Sequence, residues 1–249
     1  ANTLVTGSAL KSSGNTTVQA NNTTNQFADG TGIAAGFIAA GFNISEAKSA
    51  TTTKAVVTNL TFLEAGSLNV TANGTDTNEA VTIAGSGGLV AGSAATSETS
   101  TLSETLAAVD TSGVASYGVN VAGQATILAQ HKSNFLSSVD STQASLVGAS
   151  GANLTNVVNS MVDAKIGDRV QFTARNLSLL AKNITDNPFL AGGATNVKSI
   201  SGGLANVPAG GADVVITHNT TAAIGASAVV RLTKPVTGPS SFTHAAYND

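Results

Sequence analysis

The 249-residue sequence contains no cysteine and no tryptophan. Without cysteine there is no disulfide framework and no thiolate metal site, which suits large bacterial surface proteins as well as many cytosolic ones. Aromatic residues make up only 4% of the chain. So few rings cannot fill a thick globular core, although Val, Ile, Leu and Ala stacked in rows can fill a narrow one. Charged residues are 10%, against about 25% in an average soluble domain. The net charge of -3 and the scattered Lys and Arg residues argue against nucleic acid, which needs a basic stripe to displace counterions. Uninterrupted apolar runs of about 18 residues are absent, so no segment reads as a membrane-spanning helix. The sequence opens at Ala1 with neither Met nor a signal-peptide pattern, and is expected to be a processed chain or a piece of something longer.

Gly, Ala, Ser, Thr and Asn fill the space. At 42% hydrophobic residues and low net charge the composition is not that of a disordered chain. Its organising feature is a pattern running from Gly66 to Val109. Leu68-Asn69-Val70-Thr71-Ala72-Asn73 alternates apolar and polar, the period of a strand with one face buried. A polar cluster follows, then Val81-Thr82-Ile83, a Gly-rich joint at Gly85-Ser86-Gly87-Gly88, and a closing Leu106-Ala107-Ala108-Val109.

The pattern recurs. Its opening strand matches Thr17-Val18-Gln19-Ala20, Thr126-Ile127-Leu128-Ala129 and Ser178-Leu179-Leu180-Ala181. The alanines at 20, 72, 129 and 181 are 52, 57 and 52 apart. Its close matches stretches around Ala55, Ala164 and Ala222, so that Ala55, Ala107, Ala164 and Ala222 are 52, 57 and 58 apart. Two landmarks keeping nearly one step signal a repeat architecture. The expected core rows are Val18, Val70, Ile127 and Leu179 beside Ala20, Ala72, Ala129 and Ala181. Val70→Asp should therefore be far worse than Thr71→Asp.

Taken in order, residues 1–14 read as an extended lead-in, residues 15–232 as four repeats of about 52–58 residues, and residues 233–249 as a tail, a cap or a linker. Gly30 to Phe42 has apolar bulk that a short buried helix could use, but its four glycines each cost a helix roughly 1 kcal/mol. Leu154, Val157, Val158 and Met161 sit at i, i+3, i+4, i+7, which predicts a short helix over 153–162. Val170, Phe172 and Ala174 alternate inward against Arg169, Gln171, Thr173 and Arg175. Short strands with Gly/Asn/Thr corners predict an all-β fold, a right-handed parallel β-helix or β-solenoid. Coils of roughly 20 residues would make about a dozen, a rod on the order of 50–60 Å long.

At Asn219-Thr220-Thr221-Ala222-Ala223-Ile224-Gly225 and Asp163-Ala164-Lys165-Ile166-Gly167-Asp168 the chain resembles the TTAxIGDGAxVxAxGxVxVxA units of giant bacterial filamentous adhesins and exoproteins, including leukotoxin-like and haemagglutinin-like members. The stretch AKIGDRVQFTARNLSLLAK (164–182) matches this pattern best, whereas KAVV and LAAV in the first two repeats lack its Ile-Gly step. The resemblance implies a secreted, surface-exposed stack of parallel β-helix coils.

Candidate chemistry is sparse. His131, His218 and His244 are far apart and no HExxH is present, so they read as polar-face histidines rather than zinc ligands. No GxSxG elbow, P-loop or strand-borne GxGxxG occurs. The Gly85–Gly88 joint lacks the Asp of calcium-binding repeats. The best enzyme candidates are the outward Lys165, Asp168, Arg169 and Arg175, which could serve a polysaccharide lyase, and the carboxylate pair Asp163 and Asp168, which could serve a glycosidase. A solvated charged face is the ordinary reading of them, since carboxylates are sparse and aromatics that could stack on sugar rings are nearly missing. Thr-rich stretches at Thr16-Thr17, Thr51-Thr52-Thr53 and Thr220-Thr221 are too irregular for an ice-binding face, and Asn-X-Ser/Thr sequons (Asn22, Asn43, Asn59, Asn69, Asn73) arise freely in so Asn/Thr-rich a chain.

The sequence thus predicts a non-catalytic structural segment, a stalk or adhesive fibre, of a secreted bacterial cell-surface adhesin, with no catalytic, cofactor or metal residue assigned. Its expected partners are receptors or glycans on host or neighbouring cells, together with end-to-end or lateral self-association, and not nucleic acid. A self-assembling extracellular filament subunit is one alternative, and a carbohydrate-active β-helix enzyme is another.

Overall fold

The computed structural model describes every residue except 8, 61, 111–116, 188–195, 234–240 and 249. Twelve strands make one sheet. They are β1 (Asn2–Val5), β2 (Ala9–Lys11), β3 (Asn15–Ala35), β4 (Ile38–Thr58), β5 (Phe62–Ala65), β6 (Ser67–Asp110), β7 (Tyr117–Ile166), β8 (Val170–Asp186), β9 (Val197–Gly202), β10 (Ala205–Ile224), β11 (Val229–Leu232) and β12 (Ser241–Asn248). Every pairing is parallel. No helix forms among the described residues. Alternating Thr, Val and Ala with proline nearly absent suits this arrangement, since each residue can donate to one neighbour and offer its side chain to one face.

The repeats lie directly over one another. Val18 pairs with Val70, Val70 with Ile127, and Ile127 with Leu179. Ala20, Ala72, Ala129 and Ala181 form the next row, and Ala55, Ala107, Ala164 and Ala222 another. Four layers result, residues 15–66, 67–123, 124–175 and 176–232. β1 and β2 lie against the first on β4 and β5, and β12 lies against the fourth on β8. The changes of step are local. The pairing Val57↔Val109 gives 52, Phe62↔Gly118 gives 56, and Ile166↔Val109 gives 57. The excess therefore enters across 111–116, with one further residue at the shift between Val121 and Gln124. The step between the third and fourth layers likewise grows from 52 at Asn134↔Asp186 to 58 at Val139↔Val197, across 187–196. The register on either side of each change is kept, so the base rows stay in line.

Each layer has a base and an arm. The base packs the apolar rows, including Val70, Ile127, Leu179, Leu63, Val119, Phe172, Val109 and Ile166, all buried. The arm folds back on itself at its Gly-rich tip. In the second layer Thr82 Oγ1 donates to Thr96 O at 2.7 Å, Ser97 Oγ to Ala80 O at 2.7 Å, and Asn78 Nδ2 to Thr101 Oγ1 at 2.8 Å. The outgoing and returning stretches thus meet through side chains, while their backbone bonds run to the layers on either side, as in a steric zipper. At the tip, a Cβ on Gly88 would collide with the carbonyl oxygen of Gly36.

Two expectations are corrected. Residues 153–162 belong to β7, where Ala152, Leu154, Asn156, Val158, Ser160 and Val162 are buried at strict period two. Gly30–Phe42 falls in β3, the arm tip and β4, in keeping with the reading of its glycines against a helix. Nor are there a dozen coils of about 20 residues. One layer takes 52–58 residues, because the arm lengthens each circuit, and the pairings join residues 52–65 apart. Six levels, counting the partial ones, stand about 24 Å tall at about 4.8 Å per level, whereas an arm of about 13 residues each way, from the level of Asp76 to the Gly-rich tip, reaches roughly 40 Å. The molecule is a slab rather than a rod.

Candidate functional site

The arm interior is polar. Buried Ser49, Asp76, Asn78, Thr82, Ser97, Thr99, Thr101, Ser103, Ser137, Asn156 and Ser160 line it, with a small apolar patch of Ala84, Ala95, Val139, Ala152 and Leu154 among them. Stacking in register lets these groups bond from layer to layer. Thr99 Oγ1 donates to Asn156 Oδ1 at 2.6 Å, Ser103 Oγ to Ser160 Oγ at 2.9 Å, and Ser201 Oγ to Gln143 Oε1 at 2.6 Å. Asn73 Nδ2 donates to Asn21 Oδ1 at 3.0 Å on the outside. A buried polar group costs little when it is paired, and these ladders provide the pairing.

At the junction of base and arm lies the one buried ion-pair contact among the described residues. Asp76 and His131 have side chains 1% and 0% exposed, with Nε2 of His131 3.2 Å from Oδ2 of Asp76. Nε2 makes no directed hydrogen bond, to Asp76 or to any other group, so this is a close approach of charge. Asp76 also accepts from Thr24 Oγ1 at 2.5 Å and Thr51 Oγ1 at 3.0 Å, and Thr105 Oγ1 lies 3.3 Å from Nδ1 of His131. Glycine at 74 makes this possible, because a Cβ there would strike Nδ1 of His131. Burial raises the Asp76 pKa, but the His131 ring and the two threonine hydroxyls outweigh it and hold the carboxyl below its ordinary value. A hydroxyl, an imidazole and a carboxylate in sequence resemble a hydrolase triad, but with the ring and carboxylate sealed from solvent the arrangement ties layers together instead. It also corrects the polar-face reading of His131.

The other histidines are more open. His218 Nε2 and Thr185 Oγ1 are 2.7 Å apart. Burial first, and the charge of His131 second, lower the His218 pKa. His244 Nε2 lies 2.7 Å from Ala222 O, and its ring stacks on Phe242 with centroids 6.0 Å apart. His218 borders a mostly apolar open groove of about 500 Å³ with Phe135, Thr185, Asn187, Val214, Ile216 and Asn248.

Lys165, Asp168 and Arg169 come together at one corner, in structural roles. Lys165 Nζ lies 3.3 Å from Asp110 Oδ2 in the layer before. Asp168 Oδ1 accepts from the Ala226 amide at 2.7 Å in the layer after. Arg169 has φ of 59°, and its stacked counterpart Ser227 has 58°, so the same left-handed turn is built twice. Arg175 lies on β8, beyond this corner, and Asp163 sits on β7 before it. Beyond these, cross-layer ion pairs join Lys11 to Glu64, Lys54 to Glu104, Lys132 to Asp186 and Lys198 to Asp140. Lys48 answers a like-charge stack, Glu46 over Glu98, with Nζ 3.1 and 3.2 Å from the two carboxylates. Among the described residues no cluster of three His, Asp or Glu side chains is placed to hold a metal, and no helix is long and apolar enough to cross a membrane.

No family model, curated protein or solved structure matches this chain.

Proposed function

We propose that the chain is a right-handed parallel β-solenoid and serves as a non-catalytic structural segment of a secreted bacterial cell-surface fibre or adhesin. The observation that carries this reading is the unbroken stacking of Val18, Val70, Ile127 and Leu179 through four layers. Such a stack grows by repetition, and each layer buries its inner face only against its neighbours. Of the charged groups that could serve chemistry, Lys165 and Asp168 bond to neighbouring layers, which suits a spacer that presents long faces to receptors or glycans. Secretion and surface exposure rest on the adhesin-like units at Asp163–Asp168 and Asn219–Gly225.

Removing one whole layer tests the structural role. The in-frame deletion of residues 67–123 joins Gly66 to Gln124, whose columns already follow one another. A solenoid spacer stays cooperatively folded and loses about 4.8 Å of height, which circular dichroism and solution scattering would read. Collapse of that variant to an unfolded chain would overturn the reading. The location is tested by antibody labelling of intact producing cells, where signal confined to the cytosol would refute surface display.

A further inference from the structure

On its returning side, just past the tip, the arm turns an apolar face to water. Four columns of outward residues lie here, from Ile38, Ala40, Phe42 and Ile44 in the first layer to Ala205, Val207, Ala209 and Gly211 in the fourth. The residues between them in sequence, such as Ala39, Ala91, Ala95 and Ala152, are buried in the arm. Ile38, Phe42, Ile44, Val90, Val147 and Val207 are exposed, and no charged residue stands in these columns. Phe42 and Val207 border a shallow hollow of about 470 Å³ floored by Gly92, Ala94, Ala149 and Gly151. Packing inside the chain does not require those glycines. A Cβ on Gly151 would meet nothing within 4 Å, and one on Gly92 would make only ordinary contact, 3.7 Å from Ala149 O. Glycine weakens a strand interior and marks places where another backbone or a ligand comes close.

We propose that a second copy of this chain packs face to face on these columns, related by a two-fold axis that runs along the strands between the two sheets. The inference rests on the solenoid reading and gives its lateral self-association a surface. The first layer of each copy faces the fourth of the other, and the second faces the third. In that order the columns complement themselves. Phe42 falls over Ala209, Ile38 over Ala205, Ile44 over Gly211 and Val207 over Ala40, large against small each time. In the middle Gly92 meets Ala149 and Ala94 meets Gly151, so the sheets approach closely, as in a dry sheet-on-sheet interface. Four columns at about 6.8 Å and four layers at about 4.8 Å cover about 500 Å² on each copy. The two together give about 1,000 Å², the size at which a specific interface begins. Glu46, Glu98 and Asp213 stand in the next column, so the surroundings repel an anionic bilayer.

The same axis sets Asp213 opposite Glu46 of the second copy, twice by symmetry, and like charges so opposed limit the affinity. Sedimentation velocity of the full chain across a concentration series tests the face. The parent forms a reversible dimer and nothing larger, because a two-fold pairing closes. Gly151→Leu has room in the single chain, so it keeps the circular dichroism and melting temperature of the parent but fills the hollow and sediments as a monomer. Phe42→Ser, which removes an exposed knob, does the same. Asp213→Lys turns two repulsions into attractions and tightens the dimer about tenfold. Added salt weakens that gain, and adding Glu46→Lys removes it. A parent that stays monomeric throughout, or a Gly151→Leu that dimerises like the parent, overturns the proposal. So does a monomer that floats with phosphatidylcholine vesicles, which would give the face to lipid. If Asp213→Lys dimerises no better than the parent, the layers do not face one another in reverse order and the proposed pairing is wrong. The layer-deletion result stands independently of these outcomes, so the solenoid reading and the dimer fail separately.

Discussion

His131 and Asp76 approach within 3.2 Å although 55 residues separate them, and the contact joins the third layer to the second. Through Thr24 and Thr51 the same carboxylate reaches the first layer. One buried charge therefore links three levels at the point where the apolar base gives way to the polar arm.

Removing the carboxylate leaves the ring and two hydroxyls facing an empty space. Asp76→Ala should cost about 3–5 kcal/mol, the usual range when one partner of a buried pair is deleted, and Asp76→Asn should cost less. Urea unfolding monitored by circular dichroism reads both. Equal stability of Asp76→Ala and parent would mean that the contact contributes nothing.

Acid should weaken the protein in two windows. His218 has a lowered pKa, so below its ordinary 6.5 the unfolded chain takes up a proton that the folded chain resists, and stability declines as pH falls. Asp76 is also lowered, so its contribution is complete above about 3.8 and is lost as pH falls through the folded value. His218→Gln should flatten the upper limb of a plot of melting temperature against pH, and Asp76→Asn the lower. Unchanged limbs in both variants would assign the acid response elsewhere.

Val70 is fully buried, whereas Thr71 points to the partly exposed face. Val70→Asp should cost at least about 4 kcal/mol, and Thr71→Asp no more than about 1 kcal/mol. Comparable losses measured by thermal unfolding would contradict the assigned facing.

Lys48 stands between stacked Glu46 and Glu98, and those carboxylates, Glu46 first, hold its amine above the ordinary 10.5. Lys48→Met should lower the melting temperature slightly at low ionic strength, with salt restoring most of the loss by screening the two glutamates. A deficit that salt leaves untouched would point to packing of the lysine stem instead.

The base was legible in the sequence because its buried positions are apolar. Val70, Ala72 and their counterparts announce strand period and layer step together. The arm was not, because its buried positions are largely Ser, Thr and Asn. In 153–162 the buried set is Leu154, Asn156, Val158, Ser160 and Val162, and two of those five are polar. Reading only the apolar residues kept Leu154 and Val158 but added Val157 and Met161, which are not buried, and a strand took on helical spacing. The seam of Asp76 and His131 was hidden for a related reason. It depends on a glycine at 74 and on a register of 57, neither of which marks a histidine as buried. The size of the circuit was misjudged because the 52–58-residue step was divided into short coils, when the facing of Thr82 with Thr96 makes the whole step one circuit.

The large circuit also sets how the protein yields to force. A pull on the two ends of the chain along the stacking direction peels one layer before the next, since each is held mainly by its neighbours. Each rupture releases 52–58 residues, which at about 3.3 Å per residue pay out roughly 170–190 Å of slack. A slab about 24 Å tall thus stores an extension many times its own height, and dissipates a sudden load in a few large steps rather than many small ones.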